Sequence, residues 1–227
     1  MKIFIGTPCY NYKVYSNYVQ TLVNFQKEGW DIEPFLLHDS LVTRARNTII
    51  TNFYENKENY THLLWLDADT SFSAEGLSSM ISKKVDVIGT PISLKYNPDG
   101  DPNDSKVYVN VDNVYEEVEP FLYKCDKIGA AALLMSKKSV VSLIENSDYY
   151  FIEGKKIYDV FKIYSKDEKY VTEDWHICGE LISLGYEIYA DCSMKSDHIG
   201  LINFPREISK PRKINKKEDT TKNISYF

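Results

Sequence analysis

LLWLDAD, residues 63–69, decides how the rest of this sequence is interpreted. The apolar run 63–66 is typical of a buried strand, and Asp67 and Asp69 leave its carboxyl end, where open α/β sheets bind ligands. Two carboxylates with no basic residue beside them in the sequence repel each other unless a cation lies between them. The stretch therefore indicates a divalent metal site that holds the diphosphate of a nucleotide, with a solvated turn as the alternative.

Strands and helices alternate on both sides of this stretch. Ser73 is placed to cap a helix over 74–83, and Glu75 falls in its first turn, where acids are favourable. Pro34 places the second strand at a sheet edge or a bulge. The predicted strands are 2–7, 32–37, 63–66 and 85–90, and the predicted helices are 16–27, 43–54 and 74–83. This alternation predicts an α/β, Rossmann-like fold with a mostly parallel central sheet flanked by helices.

The second half of the chain has a different pattern. A half-exposed strand is predicted at 107–111, after a turn-rich loop at 97–105. An apolar run at 128–135 precedes a helix at 136–144, and Thr172 introduces another helix. A turn is predicted at 153–154, and the last clear strand at 186–190. Residues 1–202 are predicted to form a single domain, and residues 203–227 a basic, polar tail or a linker to further domains.

Composition excludes several classes of protein. A chain of 227 residues with 43% hydrophobic content can form one sizeable core. The net charge of −6 argues against nucleic-acid binding, which requires a basic face. The four cysteines form no C-x-x-C pair and fit no zinc framework, so they are interpreted as reduced thiols of a cytoplasmic protein. No apolar run approaches the length of a membrane span.

Five short motifs, in order, carry a resemblance to a known family. They are TPCYN at 7–11, LWLDAD at 64–69, GAAALLM at 129–135, TEDW at 172–175 and DHIG at 197–200. Together they resemble the GT-A-fold glycosyltransferases, especially the small family-2 type of bacteria and large DNA viruses. The resemblance implies transfer of a sugar from a nucleotide-diphosphate sugar, a UDP-sugar, to a glycan or another hydroxyl acceptor, with inversion. It implies the cytoplasm as location, that of the host if the chain is viral.

The resemblance also implies a metal cofactor, Mn²⁺ or Mg²⁺. Asp69 would bind the ion directly, Asp67 would contact the ion or the ribose, and His198 would be the third protein ligand. Oxygen ligands suit both ions, and one imidazole favours manganese. The alternative for His198 is an ordinary loop histidine.

Catalysis is assigned by the same resemblance to the acidic pair Glu173 and Asp174. Asp174 would take the proton from the acceptor hydroxyl, and the negative charge of Glu173 would raise its pKa. The pair lies at a predicted helix start, where the helix dipole would lower that pKa. Acids at this position also simply stabilise helices, which is the alternative.

The nucleotide sugar would contact residues at the carboxyl ends of the strands. Thr7, Pro8 and Tyr10 would line the base, and Asp39 would accept from the base N–H of uracil. Arg44 or Arg46 would reach the base or the diphosphate, because guanidinium pairs with phosphate oxygens in a fork; a solvated helix face is the alternative. The remaining contacts are assigned to Ala68, Gly129 and Ala130. Gly129 and Ala130 would pass beneath the sugar, or would only pack tightly.

Further aromatic and basic residues have two interpretations. Tyr149, Tyr150, Tyr158 and Phe161 would stack on sugar faces or form a hydrophobic cover. Lys210, Arg212 and Lys213 would fold over the diphosphate or solvate a tail.

Two rival functions share this fold. A sugar-nucleotidyltransferase should show a glycine-rich loop with Arg and Lys after the first strand, and residues 7–11 lack it. A non-catalytic module that binds a nucleotide sugar or a glycan would not need Asp69, Asp174 and His198. No Q-x-x-R-W follows Glu173-Asp174, which argues against processive polysaccharide synthesis.

Overall fold

A computed structural model describes residues 1–95 and 109–200 and the backbone of 203–206. The helices are α1 (Ser16–Lys27), α2 (Val42–Glu55), α3 (Ala74–Ser82), α4 (Lys137–Glu145) and α5 (Glu173–Ser183), with a 3₁₀ turn at Lys57–Asn59. The first strands are β1 (Lys2–Cys9), β2 (Asp31–His38), β3 (His62–Leu66), β4 (Thr70–Phe72), β5 (Val87–Gly89), β6 (Val111–Glu119), β7 (Leu122–Ile128) and β8 (Ala132–Ser136). The later strands are β9 (Tyr149–Ile152), β10 (Lys155–Tyr158), β11 (Tyr164–Lys166), β12 (Lys169–Val171), β13 (Ile188–Asp191), β14 (Ser196–Ile199) and β15 (Asn203–Arg206).

The central sheet is mixed. Its eight strands lie in the order β2-β1-β3-β8-β5-β13-β7-β6. Strand β1 pairs in parallel with β2 and β3, and β5 does so with β13. The other four pairings are antiparallel, including those of β8 with β3 and β5. The prediction of a mostly parallel sheet is therefore wrong. A hydrophobic pattern does not encode strand direction. The apolar run 128–135 is divided between β7 and β8, and both of these strands form antiparallel pairs. The α/β class with flanking helices is confirmed, and this architecture is consistent with a Rossmann-like fold.

Several element boundaries predicted from local sequence signals agree with the structure. Helix α1 matches its predicted range, and Pro34 lies in β2, at the edge of the sheet. Ser73 accepts a hydrogen bond from the N–H of Gly76 at 3.2 Å, so it caps α3 as predicted. The predicted turn at 153–154 joins β9 to β10, with φ of 48° at Glu153 and 80° at Gly154.

Helices cover both faces of the sheet. Ile3 and Ile5 of β1 pack into one buried cluster with residues of α1 and α3, whereas Phe4 packs into a second cluster with residues of α2, α4 and α5. This alternation is the two-residue period of a strand buried on both faces. Among the helices within 1–95 and 109–200, none combines the length and apolar character needed to cross a membrane.

A small three-stranded sheet, β15-β14-β4, lies next to the acidic stretch. Strand β4 begins one residue after Asp69, and β14 pairs with it so that His198 lies opposite Thr70. Residues 197–200 were predicted to follow the last strand. Instead His198 lies within a strand, and β15 pairs with that strand in turn. The short strands escaped prediction because each is stable only through its pairing. The predicted loop 97–105, and Lys210, Arg212 and Lys213, lie outside the described residues.

Candidate functional site

A cleft of about 370 Å³ opens at the carboxyl ends of β1, β2 and β3. Parallel strands end at one edge of a sheet, so their following loops meet there. The cleft is lined by Pro8, Cys9, Tyr10, Asn11, Lys13, Tyr15, Asp39, Ser40, Val42, Ala45, Asp67, Ala68 and Asp69. Six residues predicted to bind a nucleotide sugar therefore lie around one cavity: Pro8, Tyr10, Asp39, Asp67, Ala68 and Asp69.

Asp67 is held by a buried arginine. The Nη2 of Arg46 donates to Asp67 Oδ1 at 3.0 Å, and the arginine side chain is only 3% exposed. Burial raises the pKa of Asp67, and Arg46 opposes that rise. The interpretation of Arg46 as a solvated helix face is therefore wrong.

Arg46 also joins Asp67 to the acids of α5. Its Nε lies 3.9 Å from Glu173 Oε1 and 4.0 Å from Asp174 Oδ1. Its guanidinium packs against the rings of Trp65 and Phe161, at 5.3 and 5.7 Å from the ring centres. Burial works against the charge of Arg46, but the three carboxylates hold its pKa above the usual value. Arg46, Asp67, Glu173 and Asp174 thus form one ionic cluster, named here the Arg46 cluster.

Asp174 has a strongly perturbed pKa. Burial raises it to about 6; Arg46 lowers it, Glu173 raises it, and a backbone hydrogen bond from Ala130 lowers it. Its Oδ1 is buried without a hydrogen-bond partner in the described part of the chain. Thr172 caps α5 by accepting from the N–H of Trp175 at 3.4 Å, which fixes Asp174 in the first turn. The net shift of the Asp174 pKa is upward, and burial is its largest cause.

Asp69 does not belong to the Arg46 cluster and faces two basic side chains, those of His198 and Lys95. Its Oδ1 is 3.5 Å from His198 Nε2, and Lys95 donates to Oδ2. Burial alone would raise the pKa of Asp69, but the hydrogen bonds from His198 and Lys95 bring it below the usual value. The backbone carbonyl of Asp69 accepts from the N–H of Ile199 at 2.8 Å, so β14 delivers His198 to this acid.

The chemistry of this pair suits a divalent cation. His198 Nδ1 lies 2.6 Å from the carbonyl oxygen of Ser93, which can only accept, so Nδ1 carries a proton. A divalent cation that takes the place of a proton on Nε2 would accept the Nε2 lone pair beside the Asp69 carboxylate. Metal-binding histidines are commonly oriented by such a carbonyl. Asp67 instead faces Arg46, and in the described residues no three His, Cys, Asp or Glu side chains form a ready metal group.

The side of the cleft predicted to hold the base contains a second ion pair. Arg44 donates to both oxygens of Asp39 at 2.6 Å, and the Leu41 N–H donates to Asp39 Oδ1 at 2.9 Å. Arg44 holds the pKa of Asp39 below its usual value. Tyr10 is 67% exposed and available to a ligand. Thr7 is fully buried, with its hydroxyl 2.8 Å from that of Tyr18, and it does not line the cleft.

Backbone groups of residues 129–131 form hydrogen bonds with both Asp67 and Asp174. The Asp67 N–H donates to the Ala131 carbonyl at 3.1 Å, and Ala130 hydrogen-bonds Asp174. Gly129 and Ala130 are both buried. A Cβ on Gly129 would come within 2.3 Å of Asn110 Nδ2, so tight packing is present at this position.

Several residues of the site gave no sequence signal. Lys95 contacts Asp69, and the Ser93 carbonyl contacts His198. Both Lys95 and Ser93 lie in the chain after β5. Asn47 is buried, and its Oδ1 accepts from the N–H groups of Val160 and Phe161 at 3.0 and 2.7 Å.

No protein-family model matches the chain. No curated protein matches it either. Among solved structures, it is similar to A197 from STIV, with 16% identity, a TM-score of 0.57, and coverage of 95% of this chain and 98% of that one. The likeness shows a shared overall fold.

Two other solved structures are similar to the chain at lower TM-scores. One is a putative glucose-1-phosphate thymidylyltransferase from Bacillus anthracis in complex with a sucrose, with 9% identity, a TM-score of 0.31, and coverage of 65% and 75%. The other is HddC from Yersinia pseudotuberculosis, with 10% identity, a TM-score of 0.32, and coverage of 61% and 78%.

Proposed function

We propose that the protein is a metal-dependent glycosyltransferase of the GT-A type. It would move a sugar from a nucleotide-diphosphate sugar, a UDP-sugar, to a hydroxyl acceptor. One observation carries the proposal: Arg46 contacts both Asp67, in the cleft wall, and Asp174, whose pKa is about 6. The acid proposed to bind the donor and a group suited to proton transfer near neutral pH would therefore belong to one site.

The cleft residues would bind the donor. Tyr10 and Asp39 would contact the nucleoside, on the wall formed after β1 and β2. Asp69 and His198 would hold Mn²⁺ or Mg²⁺, and Asp67 would complete the site beside Arg46. The bound ion would supply neutralisation of the charge that develops on the departing diphosphate.

Asp174 would act as general base. Its carboxylate, which belongs to a side chain that is 23% exposed, would take the proton from the acceptor hydroxyl. The acceptor oxygen forms the new bond to the anomeric carbon as the bond from that carbon to the phosphate oxygen breaks. One displacement of this kind inverts the anomeric centre, which is the outcome that the resemblance implies.

Activity on a panel of UDP-sugars tests the proposal. UDP release with Mn²⁺ should be detectable, and chelation with EDTA should abolish it. Asp174→Asn should lower turnover at least 100-fold with donor binding retained, because general-base catalysis contributes about 10²–10⁴-fold. Asp31→Asn, an exposed acid at the start of β2, is the matched control and should be unchanged. Unaltered turnover in Asp174→Asn would remove the assigned base.

Two further outcomes separate the rivals. Pyrophosphate release from a nucleoside triphosphate and a sugar 1-phosphate would identify a nucleotidyltransferase. Tight UDP-sugar binding without release of UDP, in the presence of Mn²⁺ and a broad set of acceptors, would identify a binding module.

A further inference from the structure

The fold gives each acid of the stretch 67–69 a basic partner from a distant part of the chain. Arg46 pairs with Asp67 at 3.0 Å, and the ammonium of Lys95 contacts Asp69 Oδ2. The local sequence has no basic residue beside these acids, so neither pairing was predictable from it. Because both carboxylates are paired, their mutual repulsion does not by itself require a bound metal ion.

The two basic partners differ in how firmly they are held. The side chain of Arg46 is 3% exposed, and its guanidinium packs against the rings of Trp65 and Phe161. The side chain of Lys95 is 33% exposed, and its ammonium ends a flexible four-carbon stem. Arg46 is therefore a fixed counter-ion in the core, whereas Lys95 can leave its carboxylate without disturbing the packing.

The backbone that carries Lys95 is held against β14. The carbonyl of Pro91 accepts from a serine hydroxyl of β14 at 3.0 Å, and the carbonyl of Ser93 lies 2.6 Å from His198 Nδ1. One short segment after β5 thus orients His198 and also brings an ammonium group to Asp69. The position of Lys95 is tied to the two residues proposed to hold the metal ion.

A divalent ion held by Asp69 and His198 would share one carboxylate with Lys95. Asp69 Oδ1 is 3.5 Å from His198 Nε2, and Lys95 contacts the other oxygen of the same group. An ammonium and a divalent cation on one carboxylate repel each other. The Asp69 side chain is only 27% exposed, so water screens this repulsion incompletely. Binding of the ion should therefore displace the ammonium.

We propose that Lys95 is a displaceable counter-ion that makes metal binding depend on the donor. Its ammonium neutralises Asp69 before a divalent ion binds, and it moves to the phosphate oxygens of the donor when the ion arrives. A lysine binds phosphate as a point charge, so the diphosphate offers the ammonium a new partner. The donor's part rests on the proposed function, whereas the competition requires only that an ion binds at Asp69.

Binding of Mn²⁺ without nucleotide tests the competition, measured by the electron paramagnetic resonance signal of the free ion. Lys95→Met removes the ammonium and keeps an apolar stem of similar length. The dissociation constant for Mn²⁺ should therefore fall about tenfold, because the ion no longer competes with a positive charge. Lys95→Arg keeps that charge, and its dissociation constant should stay within about twofold of the wild-type value.

Lys83→Met is the matched control. Lys83 contacts Glu119, and its side chain is 23% exposed, so this pair resembles that of Lys95 with Asp69. The variant changes the net charge of the protein by the same amount, but Lys83 does not line the donor cleft. Its Mn²⁺ affinity should equal that of the wild type. An equal gain in affinity in the two methionine variants, or no gain in Lys95→Met, would overturn the proposal.

Addition of UDP tests the movement of Lys95 to the donor. The ratio of the Mn²⁺ dissociation constants without and with UDP measures how strongly the two ligands favour each other. UDP supplies oxygen ligands to the ion in every variant, but in Lys95→Met no ammonium passes from Asp69 to a phosphate. The ratio should therefore be about fivefold larger in the wild type than in Lys95→Met. Equal ratios would refute the movement.

Two outcomes separate this inference from the proposed function. Tighter Mn²⁺ binding by Lys95→Met, in a protein that releases no UDP from any donor, refutes the transferase and leaves the competition at Asp69 in place. UDP release that depends on Mn²⁺, together with an Mn²⁺ affinity that Lys95→Met does not change, refutes the role of Lys95 alone.

Discussion

Replacement of Arg46 by methionine tests the central electrostatic feature of the site. The variant keeps most of the apolar stem but removes the charge that faces Asp67, Glu173 and Asp174. Removal of one partner of a buried ion pair costs about 3–5 kcal/mol, because the remaining charge is left uncompensated. For a chain of this size, that loss lowers Tm by on the order of 10 °C.

The effect should depend on pH in a defined direction. Arg46 lowers the pKa of Asp174 in the folded protein, so its loss raises that pKa further. An acid whose folded pKa exceeds its unfolded value contributes stability below the unfolded pKa and loses it as pH rises through the folded pKa. The deficit of Arg46→Met should therefore be larger at pH 8 than at pH 5.

Urea unfolding followed by tryptophan fluorescence measures this difference, since Trp65 packs against Arg46. Arg44→Met on the same helix is the matched control. Arg44 is 43% exposed and paired with Asp39, and exposed pairs contribute about 0–1 kcal/mol. Equal losses in the two variants, or a deficit for Arg46→Met that is the same at pH 5 and pH 8, would refute the reasoning.

Three further changes have defined outcomes. The kcat/KM of the wild type should rise with pH and level off above about pH 6. The reason is that Asp174, whose pKa is raised to about 6, must lose its proton to act as base. A flat profile from pH 5 to 8 would contradict this expectation. Asn47→Leu leaves the N–H groups of Val160 and Phe161 unpaired and should cost about 2–6 kcal/mol in urea unfolding, whereas a cost below about 1 kcal/mol would show that water replaces the amide. Gly6→Ala places a Cβ 2.6 Å from Ile49 Cγ2 and should lower stability by about 1–3 kcal/mol, checked by calorimetry against Gly179→Ala, where a Cβ meets nothing within 4 Å.

Several parts of the site were predictable because their signals are local. The apolar run before Asp67 predicted β3 and its carboxyl end, and the Thr172 cap predicted the start of α5. The sequence therefore places Asp67 and Asp69 at the end of a strand, and Glu173 and Asp174 at the start of a helix. The roles assigned to Asp69, Asp174 and His198 remain proposals.

Other parts required contacts between distant segments. The burial of Arg46 depends on Trp65 and Phe161, which approach from β3 and from the chain after β10. The approach of His198 to Asp69 depends on the pairing of β14 with β4. Neither short strand has a strong pattern, so sequence periodicity does not reveal the pairing.

The sequence by itself determined the helices, most strands of the sheet and the two acidic positions, because periodicity and capping act within a few residues. Only the tertiary structure decided that β8 runs antiparallel, that Arg46 is buried among three carboxylates, and that His198 faces Asp69. Strand direction, burial of charge and the pairing of short strands are set by the packing of distant segments. Their free energies depend on neighbours that the local sequence does not contain.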